Sequence, residues 1–126
     1  MMTPDDLRYS DDHEWLRIEG DEAVVGITAY AVDQLGDVVF VELPDPGTQV
    51  AAGAAFGVVE SAKAASDLLL PVAGTVVAAN PALNDSPELV NDAPYGEGWM
   101  LRITLDDAAE ADGLMDAAAY RAMTEG

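Results

Sequence analysis

The sequence consists mainly of short apolar and β-branched runs that glycine and proline interrupt. Runs of four or five residues are long enough for strands but too short for helices of ordinary length. Two of them, Trp15–Ile18 and Glu22–Val25, flank Gly20-Asp21, which predicts a hairpin. Pro44-Asp-Pro-Gly47 predicts a further turn, because proline presets φ and glycine tolerates a positive φ. This punctuation predicts a mostly β fold.

The other elements follow from the same signals. Thr28 is a suitable N-cap for a short helix that runs to Leu35, and Gly36 would end it. Val38–Val41 is a continuous β-branched and aromatic run, which predicts a buried strand. The remaining predictions are short β-type runs at Phe56–Val59, Leu68–Leu70 and Thr75–Val77, a late strand at Trp99–Ile103, a helical turn at Glu88-Leu89, and a helix from Asp116 through Met123 ending at Gly126.

The composition limits the classes of function. The length of 126 residues predicts one domain, residues 1–126. The net charge of −19 would repel phosphate backbones and anionic lipids, so we expect neither nucleic-acid binding nor membrane binding. No apolar stretch approaches the ~20 residues that a membrane span needs. The absence of cysteine and the acidic start of the chain favour a cytoplasmic location.

The sequence contains little that indicates a catalytic site or a metal site. His13 is the single histidine, so a two-histidine metal site cannot form within one chain, and no nucleophile-elbow pattern accompanies it. The carboxylates beside it, in Asp11-Asp12-His13-Glu14, would point to opposite faces of a strand rather than to one ion. The glycines match no phosphate-binding spacing. We therefore expect no catalytic residue, no metal and no enzymatic activity.

Lys63 is the only lysine, and the other basic residues are all arginines. Unlike arginine, lysine has a primary amine that can be deprotonated and acylated. Apolar runs lead into and out of its segment, and small residues surround it, which predicts a hairpin tip with an accessible amine. From these residues alone, two interpretations stay open: an ordinary exposed lysine, and a lysine that carries an acyl group. The small neighbours are Ser61, Ala62, Ala64 and Ala65.

Glu60-Ser-Ala-Lys63-Ala-Ala resembles the lipoyl-attachment segment, E-S-V-K-A, of glycine cleavage system H proteins. Ala62 stands where valine is commoner, which trims apolar area beside the lysine. The resemblance extends over several blocks in the family's order, from about Tyr9 to Ile103. These blocks include His13-Glu14-Trp15, Val25-Gly-Ile-Thr-Ala-Tyr-Ala31, Leu35-Gly-Asp-Val-Val-Phe-Val-Glu-Leu-Pro44 and Tyr95-Gly-Glu-Gly-Trp99.

The resemblance implies a fold and a site. The fold would be a barrel-sandwich hybrid of the lipoyl-domain type, with a lipoyl hairpin centred on residues 60–67 and a C-terminal helical cap at about residues 106–124. Lys63 would carry lipoate, and Glu60, Ser61, Ala62 and Ala64 would complete the attachment motif. The residues implied for docking the lipoyl arm are Glu14 and Asp67, with Tyr30 and Asp12 beside them. Ordinary solvated carboxylates are the alternative for Glu14 and Asp67.

The implied function is a non-catalytic lipoyl carrier. It would receive the aminomethyl group of glycine from glycine decarboxylase (P protein) and deliver it to aminomethyltransferase (T protein). Dihydrolipoamide dehydrogenase (L protein) would take up the electrons, and a lipoyl-transferring enzyme would attach the lipoate. One alternative is an H-like protein that relays lipoate to other lipoyl enzymes. Another is a biotinyl carrier, in which methionine rather than Ala62 and Ala64 usually flanks the lysine.

Overall fold

The computed structural model describes residues 3–125, so the predicted helix end at Gly126 lies outside the described residues, as do Met1 and Met2. The strands are β1 Arg8–Tyr9, β2 Glu14–Glu19, β3 Glu22–Ile27, β4 Val38–Glu42, β5 Gln49–Val50, β6 Ala55–Ser61, β7 Ala65–Leu69, β8 Gly74–Ala79 and β9 Leu101–Leu105. The α-helices are α1 Ala29–Leu35, α2 Ala82–Asp85, α3 Leu89–Asp92 and α4 Ala117–Glu125, and a 3-10 helix spans Ala108–Gly113.

These strands form two antiparallel sheets. The larger has the order β1-β2-β3-β9-β8-β5, and the smaller has the order β4-β6-β7. One apolar core joins them, since Leu16 and Ile103 of the larger sheet cluster with Val41, Val59 and Leu68 of the smaller one. The prediction of a mostly β sandwich with short helices is therefore confirmed. Within the described part of the chain, every helix is too short or too polar to cross a lipid bilayer.

Local signals produce β2, β3 and α1 as predicted. Strands β2 and β3 pair from Glu14↔Ile27 to Glu19↔Glu22, and Gly20 takes a φ of 68° in the turn between them. Helix α1 follows, where the Thr28 side chain accepts a hydrogen bond from the backbone N–H of Ala31. Such a cap satisfies one of the backbone donors that a helix start leaves unpaired. The hairpin and α1 are thus set by turn and cap chemistry.

The prediction of a wholly buried strand at Val38–Val41 is wrong in its centre. Val38 and Val41 are buried, but Val39 and Phe40 are exposed. The physical reason is twofold: β4 lies at an edge of its sheet, and its pairing with β6 shifts register between Val38 and Phe40. A bulge of this kind interrupts the inward and outward alternation of side chains.

The strand predicted at Trp99–Ile103 begins two residues later, at Leu101. The backbone N–H of Trp99 instead donates to the carbonyl of Gly96, which closes a turn. The Trp99 carbonyl accepts a hydrogen bond from the side-chain amide of Asn80. Trp99 therefore belongs to the loop that precedes the strand.

The C-terminal helical segment is split into two helices. Between them, Met115 pairs with Tyr9 through two backbone hydrogen bonds of 2.8 and 2.9 Å. Asp116 caps α4 as predicted, since its Oδ1 accepts a hydrogen bond from the N–H of Ala119. The Tyr120 ring of α4 stacks on Tyr9 with centroids 4.7 Å apart. This aromatic contact packs the C-terminal helix against the β1–β2 side of the larger sheet.

Candidate functional site

Lys63 lies in the tight connection between β6 and β7. These strands pair up to Glu60↔Ala65, and Lys63, Ala62 and Ala64 are exposed beyond that pair. The sequence predicted open access from small residues that included Ser61, but Ser61 is buried. Its hydroxyl is 3.1 Å from both the N–H and the carbonyl oxygen of Ala64, so it ties the turn together from inside.

The hairpin tip rests on the turn between α1 and β4. The N–H of Ala62 donates to the carbonyl of Asp37 over 3.1 Å. That turn is held in place by Asn91 of α3, which accepts a hydrogen bond from the N–H of Val38 and donates one to the carbonyl of Gly36, each over 2.8 Å. The Lys63 side chain passes so close that a Cβ on Gly36 would lie 3.5 Å from its Cε. The lysine therefore projects from a hairpin tip that hydrogen bonds hold in place.

A cleft of about 340 Å³ lies between α1 and the β6–β7 hairpin. It is lined by Asp12, His13, Glu14, Ile27, Tyr30, Ala31, Gln34, Leu35, Val59, Ser66, Asp67 and Leu68. The structure thus brings together all four side chains that were predicted to dock a lipoyl arm, namely Asp12, Glu14, Tyr30 and Asp67. Leu35 lines the cleft one residue before Gly36, which lies beside the Lys63 side chain, so the cleft extends towards the hairpin tip.

Glu14 is a buried carboxyl group within this cleft. Only 3% of the residue is exposed, and its Oε1 accepts a hydrogen bond of 2.7 Å from the hydroxyl of Ser10. Burial raises the pKa of Glu14 to about 7, the Asp12 charge adds to that rise, and the Ser10 hydrogen bond opposes it. When the pKa of a carboxyl group is near neutrality, a cation placed beside it changes the ionised fraction of that group strongly. Glu14 therefore differs from an ordinary solvated carboxylate.

The other three predicted docking residues are more open to water. Asp67 lies on β7 opposite Val58, and both Asp67 and Asp12 are exposed. Tyr30, in the first turn of α1, is half-buried. The cleft thus combines a buried carboxyl group with two solvated carboxylates at its margin, which gives it a negative field.

His13 lines the cleft, although its role as a site residue is absent from the sequence predictions. It adopts a φ of 70°, and its ring lies 4.6 Å from that of Tyr30. Its Nδ1 is 2.8 Å from the hydroxyl of Tyr120, which is in turn 2.7 Å from the hydroxyl of Thr28. Burial lowers the pKa of His13 and so favours the neutral ring, although the Asp12 and Asp11 charges oppose this effect. Its place in the His13-Glu14-Trp15 block is the signal that could have identified it.

Ser10, which hydrogen-bonds Glu14, also went unpredicted, as did two polar side chains that line the cleft, Gln34 and Ser66. Sequence spacing carries no signal for Gln34, because its role depends on which face of α1 meets the hairpin. Among residues 3–125 there is no group of three or more histidine, aspartate and glutamate side chains able to hold a metal ion. The chemistry available at this site is therefore that of one amine beside an acidic cleft.

Comparison with known proteins identifies the family of the chain. The family model for the glycine cleavage H-protein matches residues 7–126. The chain belongs to the glycine cleavage H-protein family. It is accordingly the lipoyl carrier component of the glycine cleavage system and not an enzyme.

Relatives in this family match the chain over nearly its full length. A probable glycine cleavage system H protein of Haloarcula marismortui is 60% identical over 122 residues, which are 97% of this chain and 96% of that protein. A glycine cleavage system H protein of Magnetococcus marinus is 58% identical over 99% of this chain and 89% of its own length. The crystal structure of an H protein from Mycobacterium marinum superposes with a TM-score of 0.89 at 40% identity, covering 98% of this chain and 99% of the other. The likeness confirms the H-protein fold.

Proposed function

We propose that Lys63 is the lipoyl attachment site of this carrier and that the cleft between α1 and the hairpin docks the lipoyl arm. The observation that supports this most directly is that hydrogen bonds hold the hairpin tip in place. The chain's only lysine is exposed there, and its stem lies against Gly36 at the end of α1. An acylating enzyme needs an accessible amine that is held in a defined place, and this hairpin supplies one.

The geometry gives an arm on Lys63 a path to Glu14. Helix α1 has seven residues and therefore a length of about 10 Å. One end meets Lys63 through Gly36, and the other end meets the Glu14 region through the hydrogen bond from the N–H of Thr28 to the carbonyl of His13. The cleft follows this helix. An arm laid along it from Lys63 would bring its far end to the buried carboxyl.

The charges of the cleft suit a cationic cargo. A lipoyl group supplies the sulfur that holds the aminomethyl group, which is protonated and sensitive to water. Glu14 would face that cation from a buried position, whereas Asp67 and Asp12 would attract it from the margin. A cation beside Glu14 favours the ionised carboxylate and so lowers its raised pKa. Side chains packed around the cleft would also keep water from the cargo.

The same proposal includes the partners. We infer that the carrier accepts the aminomethyl group from glycine decarboxylase, passes it to aminomethyltransferase, and returns its electrons to dihydrolipoamide dehydrogenase. A lipoyl-transferring enzyme would first modify Lys63. The absence of cysteine from the chain is consistent with this chemistry, because the redox sulfur would belong to the lipoyl group. The absence of cysteine also supports a cytoplasmic location.

Intact-mass measurement tests the attachment site. We expect protein produced with lipoate and a competent lipoylating enzyme to gain one lipoyl group, which peptide mapping places on Lys63. Lys63→Arg keeps the positive charge and should abolish both the modification and glycine-cleavage activity without unfolding the protein. Arg121→Lys, which offers a second amine on α4, is the matched control and should still gain a single group at Lys63. An unmodified wild-type protein, or a biotin mass at Lys63, would contradict the proposal.

A further inference from the structure

The strand beside the lysine hairpin presents two large apolar side chains to solvent. Val39 is 55% exposed and Phe40 is 49% exposed, and among residues 3–124 no other large apolar side chain exceeds 41%. They are neighbours on β4, where the register shift between Val38 and Phe40 interrupts the alternation of buried and exposed positions. Adjacent apolar side chains that both reach solvent form a patch that a partner protein can bury.

This patch lies close to the lysine. Phe40 pairs with Glu60, and Val38 pairs with Ser61 on the hairpin arm that leads to Lys63. Lys63 follows Glu60 by three residues, which corresponds to roughly 10 Å along the strand direction. Asp37, the residue whose carbonyl holds the tip through Ala62, lies two residues before the patch. A protein that brings an active centre to Nζ of Lys63 therefore reaches the patch as well.

Carboxylates border the patch. Asp37, Glu42 and Glu60 are exposed around it, and the whole chain has a net charge of −19. A complementary partner surface has an apolar recess with lysine and arginine side chains at its rim. A second copy of this chain lacks that complementarity, because it would present the same negative charge.

We propose that Val39 and Phe40, with the carboxylates of Asp37, Glu42 and Glu60, form the docking surface for the enzyme that acylates Lys63. The inference rests on the function proposed above. A finished lipoyl arm moves its reactive end away from the hairpin, so later partners can work at a distance from the lysine. The acylating enzyme has no such freedom, because its active centre must reach Nζ itself. It alone is obliged to cover the surface that flanks the tip.

The acylation step is that of an amine with an activated acyl group. The neutral Nζ attacks the carbonyl carbon of lipoyl adenylate and a C–N bond forms. The C–O bond to phosphate breaks, AMP leaves, and the nitrogen loses a proton to give the amide. The initial rate of this reaction can be followed by intact mass with the unmodified carrier, a lipoate–protein ligase, lipoate and ATP.

Phe40→Ser should raise the KM of the ligase for the carrier by about tenfold while kcat changes little, because an exposed aromatic anchor is lost and the reacting amine is intact. Phe40→Leu, which keeps apolar area, should stay near the wild-type KM. Ile18→Ser removes a similarly exposed apolar side chain from β2 and is the matched control, which we expect to stay within about twofold. Raising NaCl from about 50 to about 500 mM should also raise the wild-type KM.

Thermal unfolding of each variant checks that it folds, and Val39→Ser replaces Phe40→Ser if the latter does not. An unchanged KM for the folded variant would overturn the docking surface alone. A wild-type dimer that Phe40→Ser converts to monomers would also overturn it, by assigning the patch to a second copy. A wild-type carrier that the ligase leaves unmodified would overturn the proposed function, and this inference with it.

Discussion

The hydroxyl of Ser10 donates a 2.7 Å hydrogen bond to Oε1 of Glu14, and the backbone N–H of Glu14 donates to the same hydroxyl over 3.1 Å. The pair is closed by a third bond, from the N–H of Ser10 to the carbonyl of Glu14. The buried carboxyl is therefore held in one orientation within the cleft. Its raised pKa results from burial, not from a lack of hydrogen-bonding partners.

Glu14→Gln should change how stability depends on pH. Burial raises the pKa of Glu14 to about 7, so the folded wild-type protein binds more protons than the unfolded chain above the ordinary carboxyl pKa. The stabilisation from this proton is complete below about pH 4 and is lost as the pH rises through about 7. Glutamine does not titrate. The stability of Glu14→Gln relative to wild type should therefore increase by about 2.5 kcal/mol between pH 5 and pH 8.

Urea unfolding at several pH values measures this difference. Glu88→Gln is the control, since Glu88 is exposed and outside the cleft. The free energy of unfolding of Glu88→Gln, plotted against pH, should run parallel to that of wild type. If the free energy of unfolding of Glu14→Gln also ran parallel to that of wild type, the Glu14 carboxyl group would have to be solvated in solution.

Glu14→Ala should shorten the lifetime of the cargo without preventing lipoylation. Loss of a charge-assisted hydrogen bond of about 1.5 kcal/mol corresponds to roughly tenfold faster release of ammonia from the loaded carrier. The release can be followed after loading with glycine and glycine decarboxylase, in the absence of aminomethyltransferase. Asp85→Ala removes an exposed carboxylate from α2 and should release ammonia at the wild-type rate. Equal rates for Glu14→Ala and wild type would remove Glu14 from the docking site.

The elements that could be predicted from the sequence are those with local causes. Gly20 closes the β2–β3 hairpin and Thr28 caps α1, and both effects act within a few residues of the chain. The exposure of Phe40 has no local cause. It depends on a bulge against β6 and on the position of β4 at the edge of a sheet, and a β-branched and aromatic run gives no sign of either.

The same distinction applies to the cleft. Its carboxyl groups could be chosen by resemblance to a family, but the burial of Glu14 could not, and Glu14 shares the cleft with residues of α1 and β7 that lie further along the chain. The contribution of His13 depends on Tyr120, 107 residues further along the chain. Resemblance to a family therefore predicts which carboxyl groups are present at the site, whereas tertiary packing decides their protonation.

Gly36→Ala should destabilise the protein next to Lys63. Gly36 has a φ of 80° and a ψ of −153°, a conformation that is essentially restricted to glycine. Alanine there should cost about 1–3 kcal/mol, measured by chemical unfolding. Gly113→Ala is the matched control, because a Cβ on Gly113 meets no atom within 4 Å and its φ is not positive. Equal losses of stability in the two variants would mean that Gly36 is not strained by a side chain.

Asn91→Ala should loosen the hairpin tip although Asn91 does not belong to the hairpin. Its side chain satisfies both the N–H of Val38 and the carbonyl of Gly36, and the turn between them holds Ala62 through Asp37. Alanine leaves both backbone groups without that partner, which should cost about 1–3 kcal/mol. Without the two Asn91 hydrogen bonds, the turn should open more often and break the hydrogen bond from the N–H of Ala62 to Asp37.

Hydrogen exchange measured by mass spectrometry on a peptide that covers residues 58–66 tests this connection. We expect faster exchange at Ala62 in Asn91→Ala, while the amides that pair β6 with β7 keep their protection. Asn84→Ala is the control, since Asn84 is an exposed asparagine on α2. It should leave both stability and exchange close to wild type. Unchanged exchange at Ala62 in Asn91→Ala would mean that the β6–β7 pairing and Ser61 alone hold the tip, and that α3 contributes nothing to the presentation of Lys63.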